Sequence, residues 1–395
     1  MSLERNLRWY PWLQAGRAAL FWLPVHVLWF SQHLDPAHVL RLEALYYLGV
    51  VVLEVPSGVM SDRLGRRPTL AIGALCWVAG SAVIAAGGSF ATFALGQLLL
   101  AAGMAFHSGS DSSLLYDTLV ALGRPHEIGH REAAAQSVAL RVQAGAALIG
   151  GLSAGIDLRL GHALSAVAGL VAVAAALAMV EPPATEAPPS LADQARAVRR
   201  ALDDRIVRWT TGFVVLFTVS VHVPYELVQP WLELVAGALD QPHYRAAPAV
   251  SGAVTALVTA VAALASPHGP ALAERYGVRT VLLGAAAGLI AVTGAMAWLH
   301  PVVLVVLLLR AVPNALSGPV VAATFHPRLT ARVRATYLSV VSLAGRLAFA
   351  AALAAGAASV GVDGGWTPAA LHTLVALAVA FGAVGFGALA LAGRR

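Results

Sequence analysis

Gly58 to Leu70 reads G-V-M-S-D-R-L-G-R-R-P-T-L and packs Asp62, Arg63, Arg66 and Arg67 into six residues. Apolar runs long enough to cross a bilayer flank it on both sides. Four charges in a knot are costly inside hydrocarbon, so the knot belongs at a membrane face. Its arginines mark that face as cytoplasmic. The expected fold is therefore an all-α polytopic membrane protein.

Composition supports the same class. The chain has 395 residues, of which 58% are hydrophobic and 12% charged, about half the charged fraction of a soluble protein. All 26 basic residues are arginine. Without lysine there is no phosphate-binding loop and no Schiff-base chemistry, which argues against an ATP-driven pump on this chain. Cys76 is the only cysteine, so disulfides and thiolate metal sites are excluded. No cofactor and no enzymatic activity are expected. The net charge of +6 sits in loops and helix ends and does not indicate nucleic acid as a partner.

Working outward from the knot, twelve spans are expected. The first six are Ala15–Gln32, His38–Ser61, Thr69–Gly87, Phe90–Leu119, Glu132–Gly155 and Ala163–Val180. The second six are Trp209–Val235, Pro248–Ser266, Arg279–Leu299, Val302–His326, Arg334–Val360 and Thr367–Ala392. Between the sets, E-P-P-A-T-E-A-P-P breaks the apolar pattern and a surface helix follows, with Leu191, Ala195, Val198, Leu202 and Ile206 on one face. The expected domains are 1–180, a cytoplasmic linker at 181–208, and 209–395. Twenty arginines fall on the side of the knot. Three (Arg41, Arg159, Arg245) fall on the other, and Arg141, Arg310 and Arg346 lie within spans. That bias places both termini in the cytoplasm.

The chain also repeats. A-E-R-Y-G-V-R-T brings Glu274, Arg275, Gly277 and Arg279 into register with Asp62, Arg63, Gly65 and Arg67. V-H-V around His26 is echoed around His222.

The knot resembles the loop between helices 2 and 3 of major facilitator superfamily transporters, whose pattern is G-x-x-x-D-R-x-G-R-R/K. Gly58, Asp62, Arg63, Gly65, Arg66 and Arg67 carry the match. The resemblance implies two six-helix halves related as parallel repeats, acting as a functional monomer in a bacterial inner membrane. It also implies a conformational latch in which the loop arginines pair with Asp117, and Glu274, Arg275 and Arg279 form its copy. L-E-V-P-S-G (Leu53–Gly58), G-S-D-S-S-L-L-Y-D (Gly109–Asp117) and R-A-T-Y-L-S (Arg334–Ser339) resemble a twelve-helix bacterial branch of drug or metabolite exporters. Two features depart from the drug/proton antiporters. Gln97 stands where many of them carry Arg, and Ala146–Gly151 lacks their Gly-Pro.

Cargo and coupling residues are sought among the charges that spans bury, because such groups are functional by default. Asp111 and Arg141 fall at similar depth, roughly 12 to 14 Å from the same face. The expectation is an ion pair, with separate exposure to an aqueous cavity as the alternative. His107 precedes Asp111, and His222 precedes Glu226, by four residues, so each pair shares a helix face and suits proton coupling. The alternative for the histidines is packing. Glu54 is either a gate contact or a coupling group. Arg310 and Arg346 are cavity cations of the second half, and His26 is a further candidate. Trp22, Trp29, Tyr225 and Trp231 suggest an amphipathic cargo. The expected function is proton-coupled efflux of a small organic solute, and the runner-up is a proton-linked importer of a polar metabolite or anion. A rival from another class comes from His126-Glu127-Ile128-Gly129-His130, which matches the H-E-x-x-H zinc peptidase signature in sequence but lies in a loop.

Overall fold

A computed structural model describes residues 3–183, 191–238, 247–266, 268–325, 328–329, 331–360 and 365–392. Every regular element among them is helical. Hydrocarbon offers no hydrogen-bond partner, so an apolar run must satisfy its backbone within itself. The helices are α1 (Glu4–Ala18), α2 (His26–Ser31), α3 (Pro36–Leu64), α4 (Arg66–Ala86), α5 (Phe90–His107), α6 (Ser110–Ala121), α7 (Ile128–Ala154) and α8 (Arg159–Ala178). After α9 (Leu191–Ala201) come α10 (Arg205–Ala238), α11 (Ala247–Ala265), α12 (His268–Tyr276), α13 (Val278–Ala295), α14 (Val303–Leu307), α15 (Val312–Phe325), α16 (Ala331–Ser359) and α17 (Pro368–Ala392). Among the described residues, 11 stretches are long and apolar enough to cross a membrane.

The expected first span is not among those 11. It leaves the helix at Ala19 and resumes at His26, with Pro24, which lacks an N–H, in the gap. The freed groups find partners on neighbouring helices. Phe21 N donates to Ser165 Oγ at 2.9 Å, and Ser251 Oγ donates to the Pro24 carbonyl at 2.6 Å. Glycine makes this possible: a methyl group added at Gly150 would stand 1.9 Å from the Phe21 oxygen, and one at Gly161 would stand 3.0 Å from Trp22 Cα. The unwound segment is thus clamped backbone to backbone.

The chain divides into two compact units. The first holds Met1–Leu34, Arg41–Pro188 and Tyr244–Thr255; the second holds Asp35–Leu40, Pro189–His243 and Ala256–Arg395. These bounds differ from a clean division at 180 and 208. Tyr244–Thr255 clusters with the first unit because Gly151 of α7 and Gly252 of α11 let the two backbones meet. The core of the first unit joins Leu7, Tyr10 and Leu13 of α1 to Leu70 and Ala74 of α4, Leu115 and Leu119 of α6, and Ala172 and Ala175 of α8. Small residues on α4 and α8 permit that closeness.

In the second unit, Val198 and Leu202 pack with Phe325, Leu329 and Tyr337. Ile206, expected on the same face, is exposed, and Val207 is buried instead. The helix stops at Ala201, and Asp204 caps the next one by accepting from Ile206 N (2.7 Å) and Val207 N (3.2 Å), which resets the phase.

The repeat recurs as bonds. Trp29 Nε1 donates to the Ile84 carbonyl and Trp231 Nε1 to the Met296 carbonyl, both at 3.0 Å, joining α2 to α4 and α10 to the end of α13. Trp29 follows His26 by three residues, whereas Trp231 follows His222 by nine. The V-H-V echo is therefore not a structural equivalence.

Gly150→Ala is expected to lower stability by about 1–3 kcal/mol through overpacking. Gly145→Ala, which meets nothing within 4 Å inside α7, should not lower it and is expected to raise it by up to about 1 kcal/mol. Thermal unfolding of the purified protein compares the two.

Candidate functional site

The first unit carries an open cavity of about 790 Å³ lined by Tyr10, Gln14 and Arg17 of α1, Asp111 and Ser112 of α6, and Glu132 of α7. Span 4 breaks at Ser108–Gly109, where Gly109 takes φ +75°, and the chain restarts as α6 with Asp111 in its first turn. The positive end of the helix favours a carboxylate there. Asp111 Oδ2 accepts from Arg17 Nη1 (3.0 Å) and Gln14 Nε2 (2.8 Å), while Oδ1 accepts from Ser112 N (2.8 Å). Arg17 Nη1 also reaches Gln14 Oε1 at 3.2 Å, and Ser112 Oγ donates to Glu132. Around this network stand Trp77 and Met104. It can hold a solute with both polar and apolar surface, and it offers two carboxylates against one guanidinium.

The expected Asp111–Arg141 pair is absent. Arg141 is exposed and its Nε donates to Ser137 O of its own helix at 3.1 Å. Equal depth did not supply equal azimuth, and α1 brought Arg17 instead. His107 does not share a helix face with Asp111, because the helix ends between them. It is buried, with Nδ1 2.9 Å from Gly103 O and Nε2 enclosed without a partner. Glu54 accepts from Ser108 Oγ at 2.7 Å, at the same break.

A second polar group lies near the break in the first span. His26 Nε2 stands 3.8 Å from Glu43 Oε1, which accepts from Gln97 Nε2 at 3.2 Å, and all three side chains are buried. Sequence reasoning missed Glu43, although an acid inside an apolar span was signal enough. Trp22 stacks on His162 at 5.5 Å, and among the described residues both ring nitrogens of His162 lack a hydrogen-bond partner. Trp29 and Trp231 are fully buried structural anchors and do not line the cavity.

In the second unit, His222 Nδ1 lies 2.7 Å from Thr218 O, and its ring tilts against Phe349. Glu226 is buried and lines an apolar pocket. Arg346 is half-buried and faces His222. Arg310 occupies the turn between α14 and α15 and is 8% exposed. Its Nη1 is enclosed without a hydrogen bond, and among the described residues no carboxylate pairs with it.

At the charge knot, Arg66 Nε binds Asp117 Oδ2 at 2.8 Å and its Nη1 reaches Ser61 Oγ at 3.4 Å. Arg67 Nη2 donates to Leu177 O at 2.8 Å. Glu181, read from sequence only as linker, accepts from Arg66 N and Arg67 N at 2.7 Å each and caps α4. Gly65 sits between with φ +100°, and a methyl group there would press on the Glu181 carboxylate. Gly58 and Arg63 are exposed; the Asp62 side chain lies outside the described residues. In the copy, Gly277 takes φ +85°, Arg279 donates to Ala390 O, Arg275 stacks over Tyr276 at 5.1 Å, and Glu274 is exposed. Arg67 thus reaches the C-terminal end of α8, and Arg279 that of α17.

The peptidase motif does not form a site around its acid. Pro125–Glu127 is a 3-10 turn and α7 begins only at Ile128, so the five residues straddle two elements. Glu127 accepts from Arg124 Nε at 2.5 Å, Arg124 Nη2 at 2.8 Å and Arg131 Nε at 3.1 Å. The Arg124 hydrogen bonds pull its carboxyl down to about 2, leaving it a poor base for activating water. The side chains of His126 and His130 lie outside the described residues. Because the Glu127 pKa is lowered on folding, its contribution to stability is present above its ordinary value and is lost only as pH falls toward about 2.

A family model described as Major Facilitator Superfamily matches residues 15–353. Solved structures match over nearly the whole chain. A mutant of the nucleoside transporter NupG superposes with TM-score 0.80 at 13% identity, covering 99% of this chain and 100% of that one. A bacterial homologue of the human lysosomal transporter Spinster gives 0.71 at 17%, covering 99% and 96%. A D-xylose–proton symporter gives 0.64 at 16%, covering 96% of each. At these identities the likeness concerns the fold. No curated protein matches the chain.

Arg17→Gln removes a charged donor from Asp111 and should cost about 1–3 kcal/mol. Arg141→Gln should cost nothing measurable. Thermal unfolding decides whether Asp111 depends on α1 or on α7.

Proposed function

Because the chain belongs to the major facilitator superfamily, we propose that this transporter exports a small amphipathic solute in exchange for protons, by alternating access of two six-helix halves. The observation that carries the reading is the cavity around Asp111, where one carboxylate is held by Arg17, Gln14 and the Ser112 amide. A carboxylate that can exchange its cationic partner for a proton can couple proton movement to that of a solute. Tyr10, Trp77 and Met104 supply apolar surface, and the two acids favour a neutral or cationic cargo. In this reading α1 and α2 form a broken first span, which makes twelve, and the arginine bias puts both termini in the cytoplasm. The protein is a monomer in the inner membrane. Arg66, Asp117, Arg67 and Glu181 latch the ends of the first half, and each exposed pair is weak enough to open reversibly.

One observation favours the runner-up, a proton-linked importer of an anion. Arg310 is a buried guanidinium without a carboxylate partner among the described residues, and an uncompensated buried charge calls for an anion.

Counterflow in proteoliposomes against a compound panel, with and without a pH gradient, separates the two. Export predicts gradient-driven flux of cationic or neutral amphipaths that Asp111→Asn reduces at least about tenfold, a cost of roughly 1.4 kcal/mol. Flux indifferent to both the gradient and Asp111→Asn rules out coupling at this site. Flux of anions abolished by Arg310→Gln establishes the importer.

A further inference from the structure

We propose that Glu132 selects the charge of the cargo, an assignment that rests on reading the cavity of the first unit as the cargo site. The cavity takes organic cations, and their positive centre docks against the Glu132 carboxylate, not against Asp111. Among the described residues that line the cavity, Arg17, Asp111 and Glu132 are the charged ones, which leaves one negative charge in excess.

The two acids differ in what holds them. Asp111 is balanced by Arg17 Nη1 at 3.0 Å and held further by Gln14 Nε2 and Ser112 N, both at 2.8 Å. Glu132 accepts the Ser112 hydroxyl, a neutral donor, and no guanidinium pairs with it among the described residues. Arg131, next to it in the chain, is engaged by Glu127 at 3.1 Å. A hydroxyl stabilises a carboxylate without cancelling its charge, so the excess charge of the cavity is that of Glu132. Ser112 joins the two acids, since its amide holds Asp111 and its hydroxyl holds Glu132. Cargo charge and exchangeable proton thus stay on separate carboxylates that share one residue.

The walls set the rest of the ligand. Tyr10 and Trp77 supply aromatic rings and Met104 a thioether, surfaces suited to an apolar, weakly hydrated cation. At about 790 Å³ the cavity falls in the range that holds a drug-sized molecule. An anion of the same size meets the like charge of Glu132, while Arg17 is already taken by Asp111.

Equilibrium binding of radiolabelled tetraphenylphosphonium to the full chain in maltoside micelles tests this, with protein-free micelles subtracted. Tetraphenylborate, an anion of the same shape, is measured in separate samples. The expected result is saturable binding of the cation and none of the anion. Glu132→Gln should weaken the cation at least about tenfold, while Glu132→Asp should keep it within about threefold. Arg141→Gln, on an exposed residue outside the cavity, should change nothing. Glu132→Ala takes the place of Glu132→Gln if that variant is not monodisperse on gel filtration. Native protein that binds both ions equally, or no cation, overturns the proposal. So does loss of the cation in Asp111→Asn/Arg17→Gln, which removes a neutral pair, while Glu132→Gln retains it. If Glu132→Gln binds as the native chain does but Ala139→Trp, which fills the cavity, abolishes binding, the cavity holds cargo and only the role of Glu132 fails. If neither variant alters binding, the cation sits elsewhere and the reading of the cavity as the cargo site fails as well.

Discussion

Hydrocarbon cannot hydrogen-bond to a peptide group, and that constraint shapes each part of this protein. It accounts for the helices, and it governs more strictly the places where helices stop. At residues 19–25 the amide of Phe21 and the carbonyl of Pro24 are met by Ser165 and Ser251, and Gly150 and Gly161 bring the neighbouring backbones close enough to seal the gap. The break before α6 is tied down similarly, since Ser108 beside it holds Glu54. An interruption is tolerated inside a span only where protein replaces water.

The same rule applies to charge. Asp111 collects three donors, Arg66 finds Asp117, and Glu43 is held by Gln97. The exceptions stand out against that background. Among the described residues, Arg310 carries a buried guanidinium without an acid, and His162 turns two ring nitrogens without hydrogen bonds into a buried aromatic cluster. Groups left so in a membrane protein are costly.

Each unit is tied down in a related way. In the first, Trp29 of α2 bonds Ile84 of α4, positive-φ Gly65 precedes α4, and Arg67 grips the end of α8; in the second, Trp231 of α10 bonds Met296 at the end of α13, positive-φ Gly277 precedes α13, and Arg279 grips the end of α17. The charge knot and its copy are the sequence trace of those bonds. This explains why Gly65 and Gly277 recur while the acids around them differ: the turn needs a glycine, whereas a surface charge can be met in several ways.

Much of this was legible in the chain. Apolar runs, arginine asymmetry and the knot determined the class and the family, because partition into lipid depends on composition along one dimension. Asp111 stood out as a buried acid for the same reason. Its partner did not. Depth follows from residue counts at a fixed rise, but azimuth depends on where a helix breaks, and the breaks at 19–25 and at Gly109 turned Arg17 and Asp111 toward one another while leaving Arg141 outside. Glu181 looked like linker until the fold brought it over the start of α4. The sequence alone determined that charges are buried and roughly how deep. Only the tertiary structure decided which of them meet, because pairing needs direction as well as depth.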